Sequence, residues 1–463
     1  MKPSFIFFPI AASALFLAGC ETTSSHQSQL ASFESELGEQ SYSISSDSSQ
    51  SADALDWWKS FSSEELNTLM DEALAYNHEL QAGVERIAQA RAELAASKST
   101  LWPSLSASGS ASRQRQSVDG SGSSYSSSIG AGIGLDYTVD IWGSEKASRQ
   151  ISEIGLLTQT LTEESLRLTI MGEVANGYFA TLAYRDRLAN SDQTLEILKE
   201  TLDILEARME AGRVSELEVA QQRSAVATAE ASRASLATNL QTSMNALATL
   251  LGRYPGELEI DHTDLSGIEL PSIAFGQPSE LLERRPDLAA SEQRLIAAGA
   301  SVEIAKAARL PSLNLGADSS LSRAGFDSPT QTALSLAAGI TAPLFQGGRL
   351  KANQQLAEAQ QRELLETYYQ EVLEAFREVE DALASVQGLE TRESALRRAW
   401  EEAQTSFDLS NDLFESGRID FQTLLDAQRS YLSAQDTFLA VQYDRLAAAV
   451  ELYRTLGGGW QSS

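Results

Sequence analysis

The stretch "EAGRVSELEVAQQRS" spans residues 210–224, and "ESGRIDFQTLLDAQRS" spans 415–430; the two match once a single inserted residue is allowed in the second. Gly212 and Gly417 lie 205 residues apart, as do Gly252 in "LATLLG" and Gly457 in "LYRTLG". "WPSLSASGS" (102–110) likewise matches "LPSLNLGAD" (310–318). The period is far longer than a solenoid unit of about 20–50 residues, so the chain reads as two halves of one architecture.

All ten prolines lie outside 104–254 and 344–463. Proline costs about 3 kcal/mol inside a helix, so long helices belong in those gaps. Each half then has one order. A helix (76–101 or 286–309) leads to two alternating segments. A very long helix follows (144–211 or 347–416), then a glycine turn, then a return helix (214–251 or 419–456). Leu195, Leu198, Leu202, Leu205 and Met209 step by three and four, as do Val372, Phe376, Val379, Leu383 and Val386. That spacing packs helices as a left-handed coiled coil. Helix 144–211 would be about 100 Å long. Two shorter helices end to end would nearly match it. A soluble helical bundle is the plain alternative, and it must explain the alternating segments.

In 128–141, Ile129, Ala131, Ile133, Leu135, Tyr137, Val139 and Ile141 share one face, opposite Ser128, Gly130, Gly132, Gly134, Asp136, Thr138 and Asp140. Leu334, Leu336, Ala338, Ile340, Ala342 and Leu344 do the same in 333–345, and 104–113 and 312–321 alternate less cleanly. Such strands, about 10–12 residues long, suit a tilted membrane barrel, apolar outside and polar inside. A sheet packed on a soluble core is the alternative. Trp102 and Trp142 flank the first strand pair, where an interfacial aromatic belt would sit. The loops 114–124 and 322–331 are expected to face the exterior. Four strands cannot close a barrel, and open edges are not tolerated in lipid, so the chain must oligomerise: a dimer gives eight strands, a trimer twelve.

The N-terminus carries Lys2, an apolar run from Phe5 to Leu17, and "LAGC" ending at Cys20, the one cysteine in 463 residues. This is the layout of a secretory signal peptide, and the run is too short to span a membrane. Leu17–Cys20 also resembles the bacterial lipobox, which implies cleavage after residue 19 and lipidation of Cys20; Glu21, rather than Asp, favours outer-membrane delivery. A lone cysteine excludes internal disulfides and cysteine-based metal clusters. The net charge of −29 argues against nucleic-acid binding. The three histidines (His26, His78, His262) form no metal spacing, and no phosphate loop or catalytic constellation is found, so neither an enzyme nor a cofactor is expected. The organisation reads as a signal peptide (1–19), a polar lipidated tether (20–52), a first repeat (53–252, strand pair 104–141), an equatorial linker (253–283), a second repeat (284–456, strand pair 312–345) and a tail (457–463).

"LLERRPDL" (281–288), "PLFQGG" (343–348), "LLDAQRSYLSAQ" (424–435) and "LYRTLGGGW" (452–460) resemble the TolC-like outer-membrane factor family, and within it the lipoprotein branch serving resistance-nodulation-division (RND) efflux pumps. The resemblance runs over about 53–460. It implies a mainly α fold with a membrane β-barrel: a homotrimer whose twelve strands form one barrel, continued by a helical coiled-coil barrel with an equatorial belt. It implies a passive outer-membrane exit duct for drugs or other small molecules, working with a periplasmic adaptor and an inner-membrane RND-type pump. Protein secretion with an ABC transporter, metal-ion efflux and a lipid-anchored scaffold without a pore are the rival readings. The family pattern places Asp426 in the tightest ring of the periplasmic gate, Glu218 in the corresponding place of the first repeat, and Phe414 at a gate aromatic. Gln422 stands where relatives often carry an apolar constriction residue. The turns Gly212, Arg213, Val214, Ser215 and Gly417, Arg418, Ile419, Asp420 would be the tips that dock the adaptor. The bland alternatives are that Asp426 and Glu218 are ordinary first-turn carboxylates and that the glycines serve only as helix caps. "ERRPDL" reads as a helix start, with Pro286 in the first turn and Asp287 at the N-terminal dipole.

Overall fold

The computed structural model describes residues 42, 55–118, 122–271, 273, 281–325 and 328–460. The signal peptide, Cys20 and all of the tether but Tyr42 lie outside these residues. A short 3-10 turn, Trp57–Phe61, is the first of the described elements. It is followed by α1 (Glu64–Tyr76), α2 (His78–Ser99), strands β1 (Ser104–Val118) and β2 (Gly122–Val139), α3 (Ser144–Glu210) and α4 (Glu216–Leu250). The second half comprises α5 (Leu281–Arg284), α6 (Pro286–Ala307), β3 (Ser312–Arg323), β4 (Gln331–Thr341), α7 (Arg349–Glu415) and α8 (Phe421–Thr455).

Three helices of each half match in length, while the leading helices differ (α1 has 13 residues, α5 has 4). α2 and α6 each have 22 residues, α4 and α8 each 35, and α3 and α7 each 67. α3 packs against α2 and then α4 along one flank, and against α6 and then α8 along the other; α7 packs against α6 and α8. The short helices meet end to end. Asn77 caps α2 by accepting from the amides of Glu79 and Leu80, and its Nδ2 donates to the carbonyl of Leu250 at the end of α4. Gly252 and Gly457 close the return helices with positive φ (74° at both), against the carbonyls of Tyr76 and Arg284 respectively. Each half therefore gives two parallel columns, one continuous and one stacked.

The coiled-coil spacing does what it implies. Leu195, Leu198, Leu205, Val372, Val379 and Leu383 are buried, and Leu202, Met209, Phe376 and Val386 pack partly buried beside these clusters. The largest core lies at mid-height, where α1 and the 3-10 turn pack on α3 and α8. Trp57 stacks on Tyr453 at 5.2 Å, and Phe61 lies 5.0 Å from Phe179. A buried polar network ties the linker to this core. Ser63 caps α1 and its hydroxyl lies 3.1 Å from that of Tyr178, which donates to Glu65. Glu65 accepts the amides of Asp261 and His262, while Arg185 donates to the carbonyls of Ile260 and His262. Burial raises the Tyr178 pKa and keeps it a hydrogen-bond donor.

At "ERRPDL" Pro286 opens α6 and Arg285 turns inward, pairing with Asp287 at 2.6 Å and Glu378 of α7 at 2.7 Å. Burial disfavours the charge, yet these two carboxylates hold the guanidinium above its ordinary pKa.

β1–β2–β3–β4 form one antiparallel sheet in that order, with β1 and β4 as edges. Among the described residues no helix packs extensively on either face. Two expectations are corrected here. β1 and β2 have 15 and 18 residues, not 10–12, and most of 114–124 is strand rather than loop: Gln114 pairs with Ser126 and Ser117 with Ser123. The reason is that the apolar stripe marks only the part of a ladder that meets an apolar phase; a Ser- and Gln-rich hairpin continues the pairing beyond it with no change in hydrophobicity. α7 also begins two residues later than expected, because Gly347 and Gly348 both adopt positive φ (59° and 85°).

Candidate functional site

The helical turns opposite the sheet gather most of the residues singled out from sequence. Each closes by the same chemistry. The amide of Gly212 donates to Met209 and that of Arg213 to Arg208; the amide of Gly417 donates to Phe414 and that of Arg418 to Leu413. These are Schellman closures, with Gly212 and Gly417 in the left-handed region that glycine tolerates (φ 68° and 71°). The helices leaving the turns are capped differently. At α4, Glu218 accepts the Ser215 amide at 2.6 Å and the Ser215 hydroxyl at 2.9 Å. At α8, Asp420 accepts the Thr423 amide and hydroxyl at 2.9 and 2.6 Å, which holds its carboxyl below the usual range.

Behind the turns lies a small apolar cluster of Leu205, Val219, Phe414, Phe421, Leu424 and Leu425, with Val214 and Ile419 folded onto it. Phe414 is thus buried, 6.0 Å from Phe421. Arg208, which sequence reasoning did not single out, covers it: the guanidinium lies 4.5 Å from the Phe414 ring centroid and donates to the Phe414 carbonyl at 3.4 Å. Its position four residues before Gly212 is the only sequence signal it leaves.

Asp426 and Gln422 stand on the opposite face of α8, both exposed, one turn apart, and Gln422 Nε2 donates to Asp426 Oδ1 at 3.1 Å. Glu218 is partly buried and committed to its cap. The structure therefore brings Phe414 together with both turns and sets Asp426 and Gln422 apart from them on an exposed stripe. Two turns further in, Gln222 and Gln428 occupy equivalent places in the two halves. Both are buried against α3; Gln222 donates to the Leu198 carbonyl and Gln428 to the Thr201 hydroxyl. Neither side-chain oxygen finds a donor among the described residues, so the tip coil carries a polar weak point on both sides of α3.

At the far end, the sheet has two chemically distinct faces. The register puts Leu105 opposite Leu135, Ala107 opposite Ile133, and Ala111 opposite Ile129 on one face, continued by Leu313, Leu315 and Leu321 of β3 and Leu334, Leu336 and Ile340 of β4. These residues stand bare: Ile133 is 55% exposed, Leu336 82% and Ile340 76%. The other face is mostly Ser and Gly, with Asn314, Asp136, Asp318 and a few Gln, Thr and Ala. Trp102 is exposed at the helix-side end of β1, and Trp142, at the end of β2, donates from Nε1 to the Pro311 carbonyl at 2.7 Å. No described helix is long and apolar enough to cross a membrane.

The chain matches the outer membrane efflux protein family over residues 69–253 and 277–458. It is 38% identical over 418 residues to the pyoverdine export outer membrane protein OpmQ of Pseudomonas putida strain KT2440, covering 88% of each chain. It is 31% identical to the solvent efflux pump outer membrane protein SrpC of Pseudomonas putida over 97% of each. Among solved structures, the outer-membrane channel OprN superposes with a TM-score of 0.80 at 27% identity, covering 92% of this chain and 98% of that one. The open Neisseria gonorrhoeae MtrE outer membrane channel superposes with 0.79 at 27% identity, covering 91% and 96%. Mainly helical, with a four-stranded share of a membrane barrel, the chain belongs to the outer membrane efflux protein family and is an efflux channel of the Gram-negative outer membrane.

Proposed function

We propose that this chain is the passive exit duct of a tripartite efflux system, loaded by an inner-membrane RND-type pump through a periplasmic adaptor. The carrying observation is the sheet: one apolar face bare of any helix, one small polar face, and two open edges, all continuous with 67-residue helices. Three copies close twelve strands into a barrel and twelve helical columns into a tunnel. A lumen lined mostly by serine and glycine, with Asp136 and Asp318 among them, offers few selective contacts, so the pump sets the cargo. Relatives named for pyoverdine export and solvent efflux support small molecules rather than proteins.

The tips Gly212–Ser215 and Gly417–Asp420 dock the adaptor. Asp426, exposed on α8, forms with its two copies a carboxylate ring that favours cations and hinders anions; Gln422 holds it from one turn away. Phe414 keeps the closed tip packed from behind, and Glu218 shapes the first turn through its cap. Trp102 and Trp142 mark the periplasmic-side interface of the outer membrane. Cys20 carries the lipid anchor, and Cys20→Ser removes palmitate labelling while the channel persists.

The deciding experiment is photo-crosslinking in cells from Ser215 and Asp420. Capture of a periplasmic adaptor supports the duct reading, and the adaptor's cognate pump decides its type. Crosslinks only between copies of this chain overturn the docking assignment.

A further inference from the structure

We infer that the outer rim of the barrel wall carries a binding site for the phosphorylated glycolipid of the outer leaflet, built from Arg113, Arg115, Arg323 and Tyr125. The inference rests on the outer-membrane placement of the sheet. It deepens that placement by assigning a lipid partner.

The strands sort their charges by face. The arginines are Arg113 and Arg115 of β1 and Arg323 of β3, and the carboxylates are Asp136 of β2 and Asp318 of β3. Successive strand residues point to opposite faces, so the register assigns each one. Arg113 is opposite Ser127 and Arg115 opposite Tyr125, in phase with the pair Ala111–Ile129; Arg323 is opposite Ile129 itself. All three arginines therefore stand on the apolar, lipid-facing side. Asp136 is opposite Ser104 and Gly316, and Asp318 opposite Gly134, so both carboxylates stand on the Ser/Gly side.

Their height is equally specific. The hairpin ends lie away from the helices, and the apolar stripe on β1 runs from Leu105 to Ala111. Arg113 and Arg115 follow it immediately on β1, and Arg323 follows Leu321 on β3, level with Ile129 at the edge of the hydrocarbon; all three are on the surface that faces lipid. A barrel needs no cation there for solubility in water, since this face meets headgroups. Tyr125 holds the pair in place: the guanidinium of Arg113 lies 5.2 Å from its ring centroid and that of Arg115 5.8 Å. Arg323 is fixed by donating from Nε to the Ser328 carbonyl at 2.6 Å, which leaves the other guanidinium nitrogens directed elsewhere. Among the described residues no carboxylate forms an ion pair with any of the three. Arg113 and Arg323 flank β2 from either side, opposite Ser127 and Ile129, which puts them about 12 Å apart, two strand spacings across and two residues along. A diglucosamine lipid with a phosphate at each end presents two anions for such a pair, and arginine forks match phosphate oxygens.

The test uses the purified, detergent-solubilised oligomer, with bisphosphorylated lipid A and the same lipid stripped of phosphate as probes. Native mass spectrometry counts bound lipid, and planar-bilayer conductance is measured on the same preparation. Expected is about a tenfold preference of the wild type for the phosphorylated lipid, lost in the triple variant Arg113→Gln, Arg115→Gln, Arg323→Gln and largely kept when all three become Lys. Equal binding of the two lipids by a conducting wild-type oligomer, or an unchanged preference in the Gln variant, overturns the site alone. A wild type that neither oligomerises nor conducts overturns the channel reading and the site with it. Should the triple Gln variant fail to assemble, Arg113→Gln and Arg323→Gln singly are each expected to lower the preference severalfold, and no change in either overturns the site.

Discussion

Arg208 at the end of α3 lies over the ring of Phe414 at the end of α7 and donates to its carbonyl, so one side chain joins the tips of the two halves. The contact is partly exposed and worth about 1 kcal/mol. Phe414, by contrast, is 6% exposed within the tip cluster. Phe414→Ala should cost about 3–5 kcal/mol locally and loosen the tip more than Arg208→Ala does. Both are expected to increase permeability to large antibiotics in cells, Phe414→Ala the more. Tighter exclusion in either variant would mean that this cluster does not hold the closed state.

Asp426 is exposed and, among the described residues, accepts from Gln422 on its own helix. Asp426→Ala should remove a ring of three charges, raise single-channel conductance on the order of twofold and reduce cation preference. Reversal potentials under a salt gradient measure the second effect. Unchanged conductance and selectivity would take Asp426 out of the gate.

The four capping glycines should divide into two classes. An added Cβ meets nothing within 4 Å at Gly212 or Gly417, but would lie 2.5 Å from the Tyr76 carbonyl at Gly252 and 2.1 Å from the Arg284 carbonyl at Gly457. Alanine at the tips therefore costs only left-handed backbone strain, about 1 kcal/mol. At the equator it adds a backbone clash, for about 2–5 kcal/mol in all. The temperature at which the oligomer dissociates on heating reads the difference. Equal losses at tip and equator would contradict the end-to-end seating of the helices.

Burial pushes the Asp186 carboxyl up to about 6, against the amide of Leu265 that it accepts at 3.0 Å and with help from the nearby charge of Asp264. A raised carboxylate pKa means that the folded state binds the proton more tightly than the unfolded chain. Stability is thus lost as pH rises from about 4 to 6, and the cost persists above. Asp186→Asn keeps the acceptor and removes the charge. It should stabilise the equatorial belt by about 1 kcal/mol at pH 7.5, after allowance for solvent screening, and make no difference below pH 4. A melting difference independent of pH would refute the assignment.

The repeated glycine words, the proline gaps and two periodicities were enough to read the halves, the helices and the lipid-facing stripe. Each is a local property: a backbone conformation only glycine takes easily, a residue no helix interior accepts, a face that repeats every 3.5 or 2 residues. Asp426 and Phe414 were legible only through the family pattern, since a carboxylate or a phenylalanine near a helix end has many uses. Arg208, the paired Gln222 and Gln428, and the linker contacts of Glu65, Arg185 and Asp186 were not legible, because each depends on a partner far along the chain. The rim arginines show the same division. Their residue type is plain in "SRQRQS", but which face they share with Ile129, and that Arg323 joins them from β3, is set by register. Register follows from how two strands of separate halves are brought side by side, which only the packed helices between them decide.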